Sequence, residues 1–418
     1  MTTSRRRMLS LLLASALGVA GFVALPSRPA HAQAKPPVTL VVANSQWLDA
    51  LRGKNLWAAV TKYQQVAPHV TLQQEAIPSA DFNDKITTAL GAGQGPDIVM
   101  MQEGLFYSLA EAGFLVDIGK AAEGAALNHT NEKGVVKGKR LGIAWQRAVY
   151  ALIYNKKLLD AAGAAVPKDV DGLIASSKAI QDKTGAIGFS SRHQIADLSG
   201  WFMDFQSWAY GYGVNWVDGA GKLTLNTPEA VAATAAFKKT FDSGIIPVGD
   251  DMPTQRTRFK QKQIGFSIDN SGGTLNIASG GPLASTDLYS APLPFKAPGA
   301  HQQIFLGVSK HSKNQAEAIA FLAWLVTADG QRALRDASGP DALATDVPVT
   351  EAFRATNPWA DTFAALAVNS RSTLIPGYES KTTPIMRLVM EAVEKVIVAG
   401  ADPKAALDEA QKQALARF

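Results

Sequence analysis

Residues 91–101 read GAGQGPDIVMM, a glycine-rich turn that runs directly into an apolar strand pattern. A β-branched run of the same kind, VTLVV, occupies residues 38–42, and apolar residues at helical spacing cover 56–66 between the two. Strands that alternate with helices in this way are typical of a mainly parallel sheet covered by helices. The sequence therefore predicts an α/β fold.

The same patterns extend along the rest of the chain. Further strands are predicted at 70–72, 152–154 and 264–268, and further helices at 81–90 (with Asp81 as the N-cap), 228–243, 316–327, 384–399 and 402–417. The glycine-rich turn at 91–97 follows a helix and precedes a strand, whereas a nucleotide-binding loop follows a strand and opens a helix. Nucleotide binding is therefore not expected there.

The first 32 residues resemble an export leader. Arg5, Arg6 and Arg7 precede an apolar run over 8–25, and small residues flank a cleavage position at 30–32. The sequence predicts a cleavable signal peptide over 1–32 and a soluble periplasmic protein that starts near Gln33. Both the twin-arginine and the Sec export route remain open.

Composition and length limit the structures and partners expected of the mature chain. The protein has 418 residues and no cysteine, so neither a disulfide nor a lipid-attachment thiol is available. Its formal charge of +5 falls to +1 without the leader, which holds four arginines and no acid, so nucleic acid is not an expected partner. The mature chain is also longer than a single core normally supports, which predicts two lobes.

No catalytic or metal-binding motif is evident. The histidines show no metal-ligand spacing, Asp250 and Asp251 lie in a turn-like stretch, and no serine or cysteine nucleophile motif appears. The sequence therefore predicts a protein that is not an enzyme and needs no cofactor or metal.

Seven segments in order resemble the family 1 extracellular solute-binding proteins of ABC importers. They are GPDIV at 95–99, LAEAGFL at 109–115, ALIYNKKL at 151–158, LNTPEA at 225–230, APLP at 291–294, GVSK at 307–310 and GADP at 400–403. The resemblance spans almost the whole mature chain. One departure is PKDV at 167–170, where the family usually has Thr-Trp after the proline.

The resemblance implies a two-lobed periplasmic-binding-protein clamshell of type II, with the solute held between the lobes. Lobe I would comprise 33–145 with 305–345, and lobe II 146–304 with 346–418. The chain would cross the hinge near 144–149, 304–308 and 342–348. The implied protein is a monomer that closes over a sugar-like polyhydroxylated solute and delivers it to ABC transporter permease subunits.

The resemblance also implies a ligand site. Arg387, counted back from Gly400, falls where sugar-binding members carry a stacking tryptophan and phosphate-binding members an arginine. Together with Arg147 and the start of a helix at Asn270, Ser271 and Gly272, it favours an anionic sugar or polyol phosphate over a neutral oligosaccharide. The remaining candidate ligand-binding residues are Gln46, Trp47, Glu103, Trp145, Trp201, Gly307 and Tyr378.

Plainer interpretations remain open for these residues. Arg387 could pair with Glu391 four positions on, Arg147 could be a salt-bridge partner in the hinge, and Trp201 could belong to the core. Two other functions also remain open: a periplasmic lyase or glycosidase acting on acidic sugars, and a binding protein that serves a sensor rather than an importer.

Overall fold

The computed structural model describes residues 35–418 and, for Ala50 and Ala80, only the backbone. The predicted signal peptide lies outside the described residues. The strands are β1 Val38–Ala43, β2 Val70–Glu75, β3 Ile98–Gln102, β4 Val135–Val136, β5 Lys139–Arg140, β6 Ile143–Asn155, β7 Ile187–Ser190, β8 Ile264–Asn270, β9 Leu288–Ala291, β10 Ala300–Val308 and β11 Arg371–Ser372.

Helices separate most of these strands, as the sequence predicts. They are α1 Ala50–Thr61, α2 Tyr63–Val66, α3 Ser79–Gly91, α4 Glu103–Glu111, α5 Lys156–Ala162, α6 Val170–Thr184, α7 Leu198–Gly211, α8 Pro228–Asp242, α9 Met252–Lys260, α10 Ser271–Ala278, α11 Gln315–Leu325, α12 Ala328–Ser338, α13 Glu351–Thr356, α14 Ala360–Leu366, α15 Thr382–Ala399 and α16 Pro403–Arg417. None of these helices combines the length and apolar character needed to cross a bilayer.

Most helix boundaries lie within two residues of the prediction, and two helices differ in a way that matters for the local structure. The helix predicted over 56–66 begins earlier and is divided in two, as α1 and α2. The prediction of Asp81 as an N-cap is wrong, because α3 begins at Ser79 and the N–H of Asp81 already donates to the carbonyl of Pro78. Asp81 instead lies in the first helical turn, where a carboxylate still complements the helix dipole.

One continuous sheet links the predicted lobes, with strand order β2-β1-β3-β10-β6-β8-β7. Strands β2, β1 and β3 are parallel, as are β7 and β8. The long strands β6 and β10 run antiparallel to each other in the middle, and β8 is antiparallel to β6. The sheet is therefore parallel at its two ends and antiparallel where the chain crosses between them.

Buried apolar side chains form four clusters within one compact unit, Pro37–Phe418. Two clusters draw on residues 40–145 and 304–344, and include Trp47 and Phe305. The other two draw on 149–300 and 359–414, and include Trp201 and Trp359. This division follows the predicted lobe segments, whose individual boundaries stay a prediction.

The three predicted hinge crossings lie side by side. Strands β6 and β10 pair from Val149 opposite His301 to Ile143 opposite Leu306, with a register shift between Ile304 and Phe305. The third segment joins them through backbone hydrogen bonds in both directions between Arg147 and Ala342. The floor between the two core groups is thus built from three separate stretches of chain.

Candidate functional site

A polar cleft of about 110 Å3 lies against this floor, at the ends of β1, β3 and β8. Its lining is Ser45, Gln46, Asp49, Arg52, Ser79, Met100, Gln102, Gln146, Ala148, Met252, Arg256, Asn270, Gly272, Gly273, Gln302, Ile304 and Asp341. Among the described residues, this lining contains five side-chain amides, two arginines and two aspartates, but no aromatic ring. Such a set offers many hydrogen bonds in fixed directions.

One wall of the cleft is the start of α10. The side chain of Asn270 accepts a hydrogen bond from the backbone N–H of Gly273 at 2.8 Å and so caps the helix. A Cβ at Gly272 would lie 2.9 Å from Nη2 of Arg52 and 3.3 Å from Oδ2 of Asp341. Glycine is needed there because two charged side chains approach its backbone closely.

Arg52 extends from α1 into the cleft and is almost fully buried. Its Nη1 donates to Asp49 at 2.9 Å and its Nη2 donates to Gln146 at 3.1 Å. Oδ2 of Asp341 lies 3.7 Å from the same Nη2, while Oδ1 of Asp341 accepts a hydrogen bond from the Ser271 hydroxyl. Burial raises the pKa of Asp341 to about 6, although Arg52 opposes this effect. The guanidinium therefore connects α1, the hinge and, through Asp341, the start of α10.

The second arginine of the cleft, Arg256, extends from α9. It donates two parallel hydrogen bonds to Asp269, at 2.8 Å each. Burial by itself would raise the pKa of Asp269, but Arg256 outweighs it and holds this pKa below its ordinary value. Arg192 and Asp204 form a second ion pair, which is more deeply buried than that of Arg256 and Asp269. The charge of Arg256 is thus compensated within the protein.

The amides of the floor are linked in series. Gln46 accepts a hydrogen bond from the indole N–H of Trp145 at 2.7 Å and donates to Gln146 at 2.9 Å. Gln146 in turn donates to the hydroxyl of Ser338 at 3.0 Å. Trp145 therefore does not line the cleft but fixes the orientation of Gln46, which does.

The structure brings some of the predicted site residues together and separates others. Gln46, Asn270 and Gly272 line the cleft, and Ser271 and Trp145 bond directly to lining residues. The others are placed outside the lining, and each has a local reason. The indole N–H of Trp47 donates to the Val42 carbonyl within a core, and Gly307 packs in β10 against Met101.

Arg147 and Glu103 also lie outside the lining. Gln146 and Ala148 face the cleft, so Arg147 between them faces the other side of β6, where it donates to Gln303 at 2.9 Å. Glu103 accepts a hydrogen bond from the Ser372 hydroxyl at 2.8 Å, and burial raises its pKa to about 7. Neither side chain lines the cleft, and contact of Arg147 and Glu103 with solute stays a prediction.

The three remaining candidates, Trp201, Arg387 and Tyr378, also lie outside the lining of the cleft. Trp201 is completely buried in the largest core cluster, which confirms the plainer interpretation. The side chain of Arg387 is 50 % exposed on α15 and lies 3.9 Å from Glu391, the pairing expected from helical spacing. Tyr378 lies on the turn before α15 and packs partly against the core. None of the three lines the cleft, and their contact with solute stays a prediction.

Sequence reasoning missed the charged residues of the cleft, Asp49, Arg52, Arg256 and Asp341. Arg52 could have been predicted as a cleft residue, because it lies three residues after Asp49 in the helix that follows the first strand. Asp341 had no such signal, since its position depends on the third hinge segment. Among residues 35–418 there is no cluster of His, Asp or Glu suited to holding a metal ion.

Comparisons with known proteins agree with this architecture. Residues 49–332 match the family described as bacterial extracellular solute-binding protein. A binding protein of Brucella abortus (strain 2308) is 23 % identical over 371 residues, which cover 83 % of this chain and 85 % of that protein. Maltose-bound T. maritima MalE3 superposes with a TM-score of 0.80 at 19 % identity, covering 91 % of this chain and all of that one. A solute-binding protein from Agrobacterium radiobacter K84 in complex with ribitol has a TM-score of 0.75 at 22 % identity, covering 92 % and 100 %. The fold is that of the two-lobed type II binding proteins.

Proposed function

Because this chain belongs to the bacterial extracellular solute-binding proteins, we propose that it captures a small, neutral, polyhydroxylated solute and delivers it to the permease subunits of an ABC transporter. The solute is a sugar alcohol or a monosaccharide. The protein works in the periplasm as a monomer after removal of residues 1–32, and it undergoes no catalytic turnover.

The composition of the cleft supports this proposal most directly. Five amides offer both donors and acceptors, which suits a ligand whose hydroxyl groups do both. The two guanidinium groups of the lining are already paired, Arg52 with Asp49 and Arg256 with Asp269. A neutral solute can exchange hydrogen bonds with such pairs without adding an uncompensated charge to a desolvated site.

The lining also supports a small solute over an oligosaccharide. Extended sugars are held by aromatic rings that stack on their CH faces, and the described lining provides none. The two structurally similar proteins above were crystallised with maltose and ribitol, so both a disaccharide and a five-carbon polyol are accommodated by this fold. The absence of stacking rings favours the polyol-sized ligand.

The alternatives have less support. The start of α10, which lines the cleft, is compatible with an anionic sugar or polyol phosphate, but Arg147 and Arg387, the two cations expected to hold it, do not line the cleft. A lyase or glycosidase would need a free carboxyl pair, but Asp49 and Asp341 both face Arg52. A binding protein that serves a sensor would use the same cleft. It would differ from an importer's binding protein only in the partner that recognises the closed form.

A ligand panel tests the binding proposal. Thermal shift followed by calorimetry would use ribitol, D-glucitol, D-glucose, D-galactose, maltose, D-gluconate and glycerol 3-phosphate. We expect a polyol or monosaccharide to stabilise the protein, since a ligand that binds only the native state raises the melting temperature. Binding of none of the neutral compounds, or of an anion alone, would contradict the proposal.

Uptake separates import from sensing. Cells that lack the gene should lose uptake of the radiolabelled compound that binds best, and the full-length chain should restore it. Unchanged uptake in the deletion strain would show that another protein feeds the importer. Replacing Arg5 and Arg6 by lysine in the same strain tests the export route, because twin-arginine export should then fail while Sec export continues.

A further inference from the structure

Arg52 and Asp341, two residues of the cleft lining, each carry a buried polar atom that makes no hydrogen bond among the described residues. Arg52 is 6 % and Asp341 1 % exposed, and both line the cleft. Nε of Arg52 and Oδ2 of Asp341 have no hydrogen-bond partner among the described residues. A buried donor and a buried acceptor without partners are unfavourable, so they indicate a place where another molecule supplies the bonds.

The other polar atoms of the pair hold it in position. Arg52 is fixed by Asp49 and Gln146, and Asp341 by the Ser271 hydroxyl. Nη2 of Arg52 and Oδ2 of Asp341 remain 3.7 Å apart, beyond normal hydrogen-bond length. The two groups are therefore close neighbours that do not satisfy each other.

Gly272 keeps the backbone clear at this point. Both the guanidinium of Arg52 and Oδ2 of Asp341 converge on the position that a Cβ of this residue would occupy. Since Arg52 lies in α1, Asp341 in the third hinge segment and Gly272 in α10, three separate parts of the chain meet there. A molecule bound at this point would contact elements assigned to both lobes.

We propose that Arg52 and Asp341 form a subsite for two adjacent hydroxyl groups of the solute. One hydroxyl oxygen accepts a hydrogen bond from Nε of Arg52, and the neighbouring hydroxyl donates to Oδ2 of Asp341. This subsite rests on the proposed function and makes it more specific: the solute carries a free vicinal diol. A carboxylate or phosphate fits poorly, because it has no proton for Asp341 and is repelled by its charge.

Both atoms are buried in this conformation, so a solute reaches them when the lobes separate. Closure then brings the start of α10 against the diol, where the Ser271 hydroxyl holds Asp341 in place and Gly272 approaches both charged side chains. Differential contacts of this kind are what a ligand needs to shift an opening equilibrium.

Double-mutant cycles between protein and ligand test the subsite. The probe is whichever of ribitol, D-glucose and D-galactose binds most tightly, together with its singly deoxygenated analogues, measured by calorimetry. The variants are Asp341→Asn, which keeps an oxygen for Ser271 but loses the second acceptor, and Arg52→Lys, which loses Nε. We expect each variant to weaken the full probe at least about tenfold. At least one deoxy analogue should bind the wild type weakly, and the variant should reduce its affinity little further.

Controls separate the subsite from folding and from the broader proposal. Asp329→Asn and Arg332→Lys make the same chemical changes in an exposed ion pair outside the cleft and should leave affinity unchanged. Ser271→Ala removes the support of Oδ1 without touching Oδ2, and it serves if Asp341→Asn does not fold. If the loss of affinity from the protein variant and the loss from removing a hydroxyl group were independent for every deoxy analogue, the two fold-changes would multiply. That result would overturn the subsite but leave the proposed function intact. Failure of all neutral probes to bind the wild type would overturn the proposed function itself.

Discussion

Two arginines of this molecule have similar sequence surroundings but differ in burial and in the length of their ion pairs. In the cleft wall of α1, Arg52 pairs with Asp49 three residues earlier at 2.9 Å and is 6 % exposed. On the outer face of α15, Arg387 pairs with Glu391 four residues later at 3.9 Å, and its side chain is 50 % exposed. Helical spacing alone predicts both pairs, but burial decides which of them matters.

The energetic consequence is a difference in scale. An exposed ion pair contributes roughly 0–1 kcal/mol, because water and salt screen it. Breaking a buried pair leaves an uncompensated charge in a poorly polarisable site and costs about 3–5 kcal/mol. Arg387, which was selected by counting along the sequence, belongs to the exposed pair with the small contribution. Arg52, which sequence reasoning missed, is the buried arginine with the large one.

The largest effect is therefore expected for Arg52→Met. Removing the guanidinium takes a hydrogen bond from the partly exposed Asp49 and leaves the buried carboxyl group of Asp341 without the positive charge 3.7 Å away. Because Asp341 is buried, the free energy of unfolding should fall by about 3–5 kcal/mol. Urea denaturation at neutral pH measures this change. Arg332→Met is the matched control, since Arg332 bonds Asp329 at 2.9 Å on the surface, and it should change stability by less than about 0.5 kcal/mol. Equal losses in the two variants would show that burial does not distinguish the pairs.

A smaller effect is expected for Gly272→Ala. The new methyl group would meet the Arg52 guanidinium and Oδ2 of Asp341, and crowding of this kind costs about 1–3 kcal/mol. We expect the affinity for the best neutral polyol to fall by about tenfold or more, as measured by calorimetry. Gly91→Ala is the control because, apart from its chain neighbours and the backbone of its own helix, no atom of the described residues lies within 4 Å of the position of its Cβ. Unaltered affinity in Gly272→Ala would remove this glycine from the site.

A pH effect is expected from Glu103 at the other side of the hinge. Burial raises its pKa from 4.5 to about 7, while the Ser372 hydroxyl and Arg147 partly oppose this. Between these values the folded protein holds a proton that the unfolded chain has lost, so the contribution of Glu103 to stability decreases as pH rises. The stability of the wild type relative to Glu103→Gln should therefore fall by about 1 kcal/mol or more between about pH 5 and pH 8. Denaturation curves at both pH values measure it, and a parallel pH profile of the two proteins would refute the assignment.

The smallest effect is expected for Arg387→Ala. Loss of an exposed pair should change the free energy of unfolding by less than about 0.5 kcal/mol. Affinity for neutral polyols should not change, because the side chain does not line the cleft. A large loss of affinity for D-gluconate or glycerol 3-phosphate in this variant would instead restore the anionic interpretation.

Sequence patterns predicted the elements well, because periodicity and helix caps are local. The helix predicted over 228–243 is α8, with Thr227 accepting a hydrogen bond from Ala230 N–H as its cap. The strand over 264–268 is the core of β8. Gly272 came from the family resemblance, whereas Asn270 was expected to open the helix that leaves this strand and is the N-cap of α10.

The rest of the site depended on information that is not local. The direction of the Arg147 side chain is set by the alternation of side chains along β6. This strand pairs with β10, with a register shift between Ile304 and Phe305. Asp341 reaches the cleft only because its segment pairs with β6 at Arg147. Contacts between distant segments decided these positions, and spacing along the sequence does not encode them.

The most direct test of the account compares D-glucitol with D-gluconate, which share a carbon chain and differ in the oxidation and charge of one end. Calorimetric titration of the mature protein at low and high salt measures both affinities. The account predicts that the neutral polyol binds more tightly and that its affinity is nearly independent of salt, since no net charge enters the cleft. Preferential binding of gluconate, with an affinity that falls as salt is raised, would contradict it.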